Sequence, residues 1–313
     1  MARSIHWWRI MVKLSIAMIV KNESSCLKEC LESVKDADEI VIVDTGSEDN
    51  TLEIAKQYTD KVYSGEEYKW IDDFAHSRNQ ARSKCTGDWI LTIDADEVLE
   101  KGGIEKVKNT IALIHNTNAN GIFVKLTGKT CKSQYHKNIR IYRRVPEVFY
   151  KGAIHNYLNI AEGYNSDIVI YYGYSDAHKK DTDRALRILT KVVANNPNCK
   201  REKFYLAREY YYRGNYELAA RLYDYYLETA DWAPEMAEAH MIRSKCYELL
   251  GKLDKAKDEC LQAIKINSDF TEAWDSLANL SGKNNRAKFK EIAKTTNNNS
   301  VLFVRKDKTN IKM

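Results

Sequence analysis

Asp94-Ala95-Asp96-Glu97 follows directly on the apolar run Trp89-Ile90-Leu91-Thr92-Ile93, so two carboxylates stand one residue apart where a buried strand should end. Side chains alternate along an extended backbone, which predicts that Asp94 and Asp96 point the same way. Two like charges held that close need a counter-cation, and hard oxygen ligands suit Mg²⁺ or Mn²⁺. Such an ion could bridge a nucleotide diphosphate and neutralise it as it leaves. The competing reading is an acidic turn that merely closes a strand.

The elements that would position this pair are legible on either side. Leu14–Val20 is a continuous apolar strand signal and runs into Lys21-Asn22-Glu23. A helix follows, with Cys26, Leu27, Cys30, Leu31 and Val34 at helical spacing on one face. Ile40–Val43 is a second buried strand, ending at Asp44-Thr45-Gly46-Ser47. Asn50-Thr51-Leu52-Glu53 reads as a helix start, with Asn50 capping and Glu53 three residues on. A third helix should follow Asp72-Asp73, pass through Arg78 and Asn79, and stop near Gly87. Strands alternating with helices imply an α/β fold with a mostly parallel sheet, whose ligand crevice lies at the carboxyl ends of its strands. Asn22, Asp44 and Asp94 all fall at such ends.

Four ordered blocks, Leu14–Glu23, Ile40–Thr51, Asp73–Asn79 and Trp89–Glu97, resemble the inverting family 2 glycosyltransferases with a GT-A (Rossmann-like) fold. The resemblance covers residues 14–100. It implies a nucleotide-sugar donor, in the first instance a UDP-sugar, with Asn22, Glu23 and Asp44 around base and ribose. The donor-binding set expected on this basis also takes in Thr45, Ser47, Arg78, Asn79, Asp94 and Arg140. Asp96 is expected as the main ligand of a Mn²⁺ or Mg²⁺ ion, with Asp94 nearer the ribose or sugar. Thr45 departs from the pattern, since many relatives carry a second aspartate there. The Asp-Thr-Gly-Ser form is similar to the subgroup with a helical-repeat tail that includes peptide S-glycosyltransferases.

Between 101 and 175 the signals are sparser. Gly121–Leu126 and Asn138–Arg144 read as strands. Gly152-Ala153-Ile154-His155-Asn156 is similar to a Gly-x-x-His-Glu element of the repeat-tailed relatives, with Asn156 in place of the glutamate. By resemblance His155 would supply a third metal ligand; the alternative is a structural histidine. Arg140 and Arg143 could pair with diphosphate oxygens or be inert strand-surface charges. With no glutamate at 156, Glu97, Glu147 and His155 are the candidate bases, and the expected catalytic set is Asp94, Glu97 and His155. A cysteine acceptor would ease the need for a base, because a thiol with a pKa of roughly 8.5 is already partly ionised.

The period turns helical from about Asp181. Asn196-Pro197-Asn198 breaks one helix. Gly214 and Gly251 then recur in similar settings, at a separation close to the ~34-residue period of tetratricopeptide helix pairs. Ala219 and Ala256 allow close helix approach, and Tyr205, Tyr212 and Tyr216 fill the gaps. Two such repeats are expected, flanked by single helices over Asp181–Ala194 and Phe270–Leu280. Their role is either to buttress the catalytic domain or to hold a peptide or a second subunit, a homodimer included.

The 313 residues can hold one large domain plus an appendage, and no stretch is apolar enough to suggest a membrane span. Met1 to Val12 reads as an extension before the first strand rather than a signal peptide, with peripheral membrane contact through Trp7 and Trp8 as the alternative. Seven cysteines without close metal-type pairing read as reduced, pointing to a cytoplasmic setting. The net charge of +5 is concentrated at the end: nine basic and two acidic residues lie from Gly282 onward, against 40 basic and 42 acidic before it. A near-neutral body argues against nucleic acid as the partner. Val301–Val304 could form a short strand.

The expected layout is a GT-A domain over 11–178, helical repeats over 181–280 and a basic polar tail over 281–313. The expected function is metal-dependent inverting transfer of a sugar to a peptide or protein side chain. A saccharide or lipid-linked glycan is the alternative acceptor. A non-catalytic repeat protein with a degenerate transferase domain is the alternative class.

Overall fold

A computed structural model describes residues 12–129, 135–173 and 181–296. The expected strand at 301–304 and the two N-terminal tryptophans lie outside these residues. The chain divides into two compact units between Arg184 and Ala185.

The strands of the first unit are β1 (Leu14–Val20), β2 (Glu39–Asp44), β3 (Val62–Tyr63), β4 (Trp89–Thr92), β5 (Glu97–Leu99), β6 (Gly121–Gly128), β7 (Tyr135–Arg143), β8 (Tyr150–Lys151), β9 (Tyr157–Leu158) and β10 (Tyr164–Tyr172). Strands β8 and β9 pair with each other, and the other eight form one sheet in the order β3-β2-β1-β4-β7-β6-β10-β5. The β3-β2-β1-β4 half is wholly parallel, as the alternating pattern requires, whereas β7 lies antiparallel to both β4 and β6. Strand β10 is parallel to β6, and β5 is antiparallel to β10. The sheet is therefore GT-A-like and mostly parallel, with its antiparallel pairings confined to the later half.

The α-helices described in this unit are α1 (Leu27–Val34), α2 (Thr51–Ala55), α3 (Phe74–Lys84) and α4 (Gly103–Leu113). Helix α1 buries Leu27, Cys30, Leu31 and Val34, the face its spacing predicts, and Cys26 packs beside them. The cysteines at 26 and 30 thus belong to the apolar core. Helix α3 starts where expected, because the Asp73 carboxylate accepts the His76 backbone N–H at 2.9 Å.

Two local expectations need correction. Asn50 precedes α2 without capping it through its side chain. The Asp49 carboxylate takes that place, accepting the Thr51 N–H at 3.0 Å, and α2 is only five residues long. Residues 94–97 do not continue β4 in extended form either. The Glu97 N–H bonds the Asp94 carbonyl at 2.9 Å, so the chain turns there and strand alternation no longer dictates where Asp94 and Asp96 point.

The described elements of the second unit, the first of which begins at the boundary residue Arg184, are helices: α5 (Arg184–Asn195), α6 (Lys200–Tyr212), α7 (Tyr216–Leu227), α8 (Ala233–Leu249), α9 (Leu253–Ile266), α10 (Thr271–Leu280) and α11 (Lys283–Thr295). The repeat is visible in two equivalent helix ends. Gly214 and Gly251 sit at φ +76° and +73°, left-handed values that glycine tolerates without a Cβ penalty. At the first, the Asn215 N–H reaches the Tyr210 carbonyl and the Gly214 N–H the Tyr211 carbonyl, each at 3.0 Å. At the second, the Lys252 N–H reaches the Tyr247 carbonyl at 2.8 Å and the Gly251 N–H the Glu248 carbonyl at 3.0 Å. Both are the paired C-terminal bonds that end a helix on a left-handed glycine. Residues 283–295, expected within a polar tail, form α11 instead.

One buried group in this unit sets a pH dependence. Glu238 on α8 is 3% exposed, and its Oε1 has no hydrogen-bond partner. Burial pushes its carboxyl up to about 8, with Arg208 opposing and Glu272 adding to the rise. The folded state therefore holds a proton that the unfolded chain gives up near the ordinary glutamate value of about 4.3. The associated stability is fully present below that value and is lost as pH rises through about 8. Urea unfolding followed from acid to mildly alkaline pH should show this decline, and Glu238→Gln should flatten it.

Candidate functional site

Strands β1, β2 and β4 deliver Asn22, Asp44 and Asp94 to one edge of the sheet, as their shared direction requires. The loops leaving β1 and β2 are tied together. Asn22 adopts φ 58°, its N–H bonds Ser47 Oγ at 2.9 Å, and its side-chain Oδ1 accepts the Glu48 N–H at 2.8 Å. The Glu23 N–H bonds Thr51 Oγ1 at 2.8 Å, and the Ser24 N–H bonds Asp49 Oδ2 at 3.2 Å. Thr45 is engaged by the backbone: both its N–H and its hydroxyl bond the Val20 carbonyl.

Asp44 is 2% exposed. Its Oδ1 accepts the N–H groups of Gly46 and Ser47, each at 2.9 Å, whereas its Oδ2 is buried without a hydrogen-bond partner. Leaving such an acceptor unmet costs about 1–3 kcal/mol, so a ligand donor placed against it would be favoured by that margin.

Asp94 is held by arginines. Arg78 Nη2, from α3, bonds its Oδ1 at 2.6 Å, and Arg140 Nη1, from β7, lies 3.4 Å from Oδ2. Arg140 Nη2 also bonds Glu97 Oε1 at 2.6 Å, while Glu97 Oε2 accepts the Asp94 N–H at 2.9 Å. Two cations and two carboxylates thus form a linked, largely buried quartet. Burial would raise the Asp94 carboxyl, but Arg78 and then Arg140 hold it down to about 2. Burial pushes Glu97 up, against the pull of Arg140 and with the Asp94 charge adding to the rise. The quartet depends on an irregularity in β7. Ile122 pairs with Ile141 and Phe123 with Ile139, which leaves Arg140 as the extra residue of a bulge, and bulges re-aim side chains.

Several expected ligands are occupied elsewhere. Asn79 bonds the Tyr150 backbone twice, its Nδ2 to the carbonyl at 3.0 Å and its Oδ1 from the N–H at 2.9 Å. It positions β8. Arg143 donates to the carbonyls of Ala119 and His115 at 3.1 and 3.0 Å and stacks over Trp89. Glu147 is exposed before β8, and His155 is exposed in the β8–β9 loop at φ 49°.

No three His, Cys, Asp or Glu side chains among the described residues group as metal ligands would. Asp94, Asp96 and His155 therefore do not form the expected three-ligand set. Sequence reading places Arg78 and Arg140 among donor ligands; the structure makes them the counter-cations of Asp94. Their positive charge is visible in the sequence, but the bulge and the helix register that aim them are not.

Residues 15–169 match the family model described as Glycosyl transferase family 2, and residues 204–269 match a tetratricopeptide repeat model. A TPR repeat-containing protein of Synechococcus elongatus is 48% identical over 90 residues, covering 28% of this chain and 22% of that protein. The SPbeta prophage-derived glycosyltransferase SunS of Bacillus subtilis is 27% identical over 207 residues, covering 63% of this chain and 49% of that protein. The matches span less than half the length of either relative. The solved structure of S. aureus TarS 1-349 in complex with UDP is 14% identical, with a TM-score of 0.46, over 81% of this chain and 91% of that one. No helix among the described residues is long and apolar enough to cross a membrane.

Breaking the quartet should be costly. Arg140→Met leaves Glu97 and Asp94 with one guanidinium between them, and should destabilise the first unit by about 3–5 kcal/mol, the usual cost of stranding a buried charge. Chemical unfolding followed by tryptophan fluorescence would measure it.

Proposed function

We propose that this chain, a member of the family 2 glycosyltransferases, moves a sugar from a nucleoside diphosphate to an acceptor side chain. The observation that carries the reading is the unpartnered, buried Asp44 Oδ2 at the carboxyl end of β2. It is an acceptor without a donor, and the imide N–H of a uracil ring or a ribose hydroxyl supplies one. A UDP-sugar is accordingly the first donor to try. Asn22 and Ser47 shape the loops around it, and Glu23 anchors the start of α1 through its carbonyl, which accepts the Leu27 N–H at 2.9 Å.

With Asp94 engaged by two guanidinium groups, Asp96 is the side chain of the turn that would hold a divalent ion brought by the donor. Such an ion would neutralise charge on the departing diphosphate. The chain's own residues do the positioning. Arg78 and Arg140 hold Asp94 ionised and tie down the turn that carries Asp96. The sugar inverts if the acceptor attacks in line, opposite the departing diphosphate. The tetratricopeptide repeats support a peptide or protein acceptor, because stacked helix pairs offer an extended binding surface. A saccharide or lipid-linked glycan is the other acceptor class, and a homodimer through the repeats is a further role for them.

Two measurements test this reading. Incubation with a panel of nucleotide sugars, Mn²⁺ and a host lysate, followed by mass spectrometry, should reveal a hexose-sized mass gain on a protein or peptide. A gain confined to glycans would replace the acceptor, and no gain with any donor would remove the transferase reading. Asp44→Ala should weaken UDP binding by about 1–3 kcal/mol in calorimetry. Equal affinity in wild type and variant would remove Asp44 from the donor pocket.

A further inference from the structure

The rim of the sheet beyond Asp94 carries a titratable side chain that donor binding leaves unused. Strand directions place it there. β7 is antiparallel to β4, so the first residues of β7 lie at the edge where β4 ends. β6 and β10 end at that same edge, and β5 begins there with Glu97. His136, the second residue of β7, is therefore on the rim that holds the Asp94–Glu97 turn.

Its face and neighbours are also fixed. His136 pairs with Leu126, which pairs in turn with Ile170, and both apolar partners belong to the core on one side of the sheet. Tyr172, two residues beyond Ile170, shares that side and pairs with Glu97. The rings of His136 and Tyr172 lie with centroids 6.0 Å apart, tilted by 48°. The next residue, Gly173, donates its N–H to the Asp96 carbonyl at 2.8 Å. One aromatic residue thus separates the imidazole from the turn that carries Asp96. His136 itself is exposed.

We propose that His136 is the base that takes the acceptor's proton, an inference that rests on the glycosyl-transfer reading. Among the other candidates, both Glu97 oxygens are occupied, by Arg140 and by the Asp94 N–H, and Glu147 precedes β8. His155, in the β8–β9 loop beyond the Tyr150 ring that Arg78 covers, is the rival base. In the step, the acceptor O–H or S–H gives its proton to an imidazole nitrogen. The electron pair released forms the bond to the anomeric carbon, while the bond from that carbon to the diphosphate oxygen breaks and its pair leaves with the diphosphate.

The ionisable groups along this rim are Arg140 on its own strand, Lys129 just after β6 and beside Gly173, Tyr172 on β10 and Glu97 on β5, and of these the Arg140 cation favours the neutral ring that a base requires. Partial covering of the ring by its neighbours, and then the Arg140 charge, hold the imidazole below its usual value.

The test uses the full chain and water as the acceptor, following UDP release from UDP-glucose and UDP-N-acetylglucosamine with Mn²⁺ from acid to mildly alkaline pH. Wild type should lose kcat at acid pH, as the base becomes protonated. His136→Gln should lower kcat by roughly 100-fold or more, the usual range for a general base, and abolish that acid limb while KM for the donor changes little. Added imidazole should restore part of the activity of His136→Ala, a rescue that a purely structural role would not show. Wild-type kcat and an intact acid limb in His136→Gln would overturn the assignment alone. UDP release absent from wild type with every donor would overturn the transferase reading and this one with it.

Discussion

A carboxylate drawn into the protein at a strand end needs compensating charge, and Asp94 obtains it from two directions. Arg78 comes from α3 on one side and Arg140 from the β7 bulge on the other. Transfer of ionised groups out of water costs several kcal/mol each, so such a cluster persists only where its charges pair. The quartet therefore links three separate chain segments: the turn after β4, helix α3, and the strand that switches the sheet to antiparallel pairing. Asp94 organises the edge, and Asp96 is the carboxylate of the turn proposed to meet the donor's metal ion.

The proposed donor side is arranged by backbone rather than by charge. Ser47 accepts from Asn22, Thr51 from Glu23, and Asp44 from Gly46 and Ser47. These bonds fix the loops after β1 and β2 against each other and leave one Asp44 oxygen unmet. Rigid loops around a single unmet acceptor suit recognition of a ring N–H or a hydroxyl. The same region explains why a threonine at 45 is compatible with the fold: its side chain serves the Val20 carbonyl.

The parallel strands and α1 are legible in the sequence because continuous apolar runs and helical spacing report burial directly. Asp73 as the start of α3 is legible because a short acceptor side chain before a helix has few other uses. The geometry of Asp94 and Asp96 is not, since extrapolating strand alternation past Thr92 misses a turn set by the Glu97 N–H. Arg140 and Asn79 show the same limit. Their partners, Asp94 and Tyr150, are 46 and 71 residues away in sequence, and only the bulge and the β8 pairing bring them together. In the helical unit, the recurring glycines mark the helix ends, but the charged composition of α11 conceals a helix as a tail.

In the proposed site the two aspartates divide the labour, Asp94 holding the sheet edge and Asp96 meeting the metal. Calorimetric titration of UDP into wild type, Asp94→Asn and Asp96→Asn, each with and without Mn²⁺, tests this most directly. Mn²⁺ should tighten UDP binding in wild type and in folded Asp94→Asn, and Asp96→Asn should lose the tightening. Retention of the Mn²⁺ effect in Asp96→Asn, with its loss in Asp94→Asn, would contradict that division.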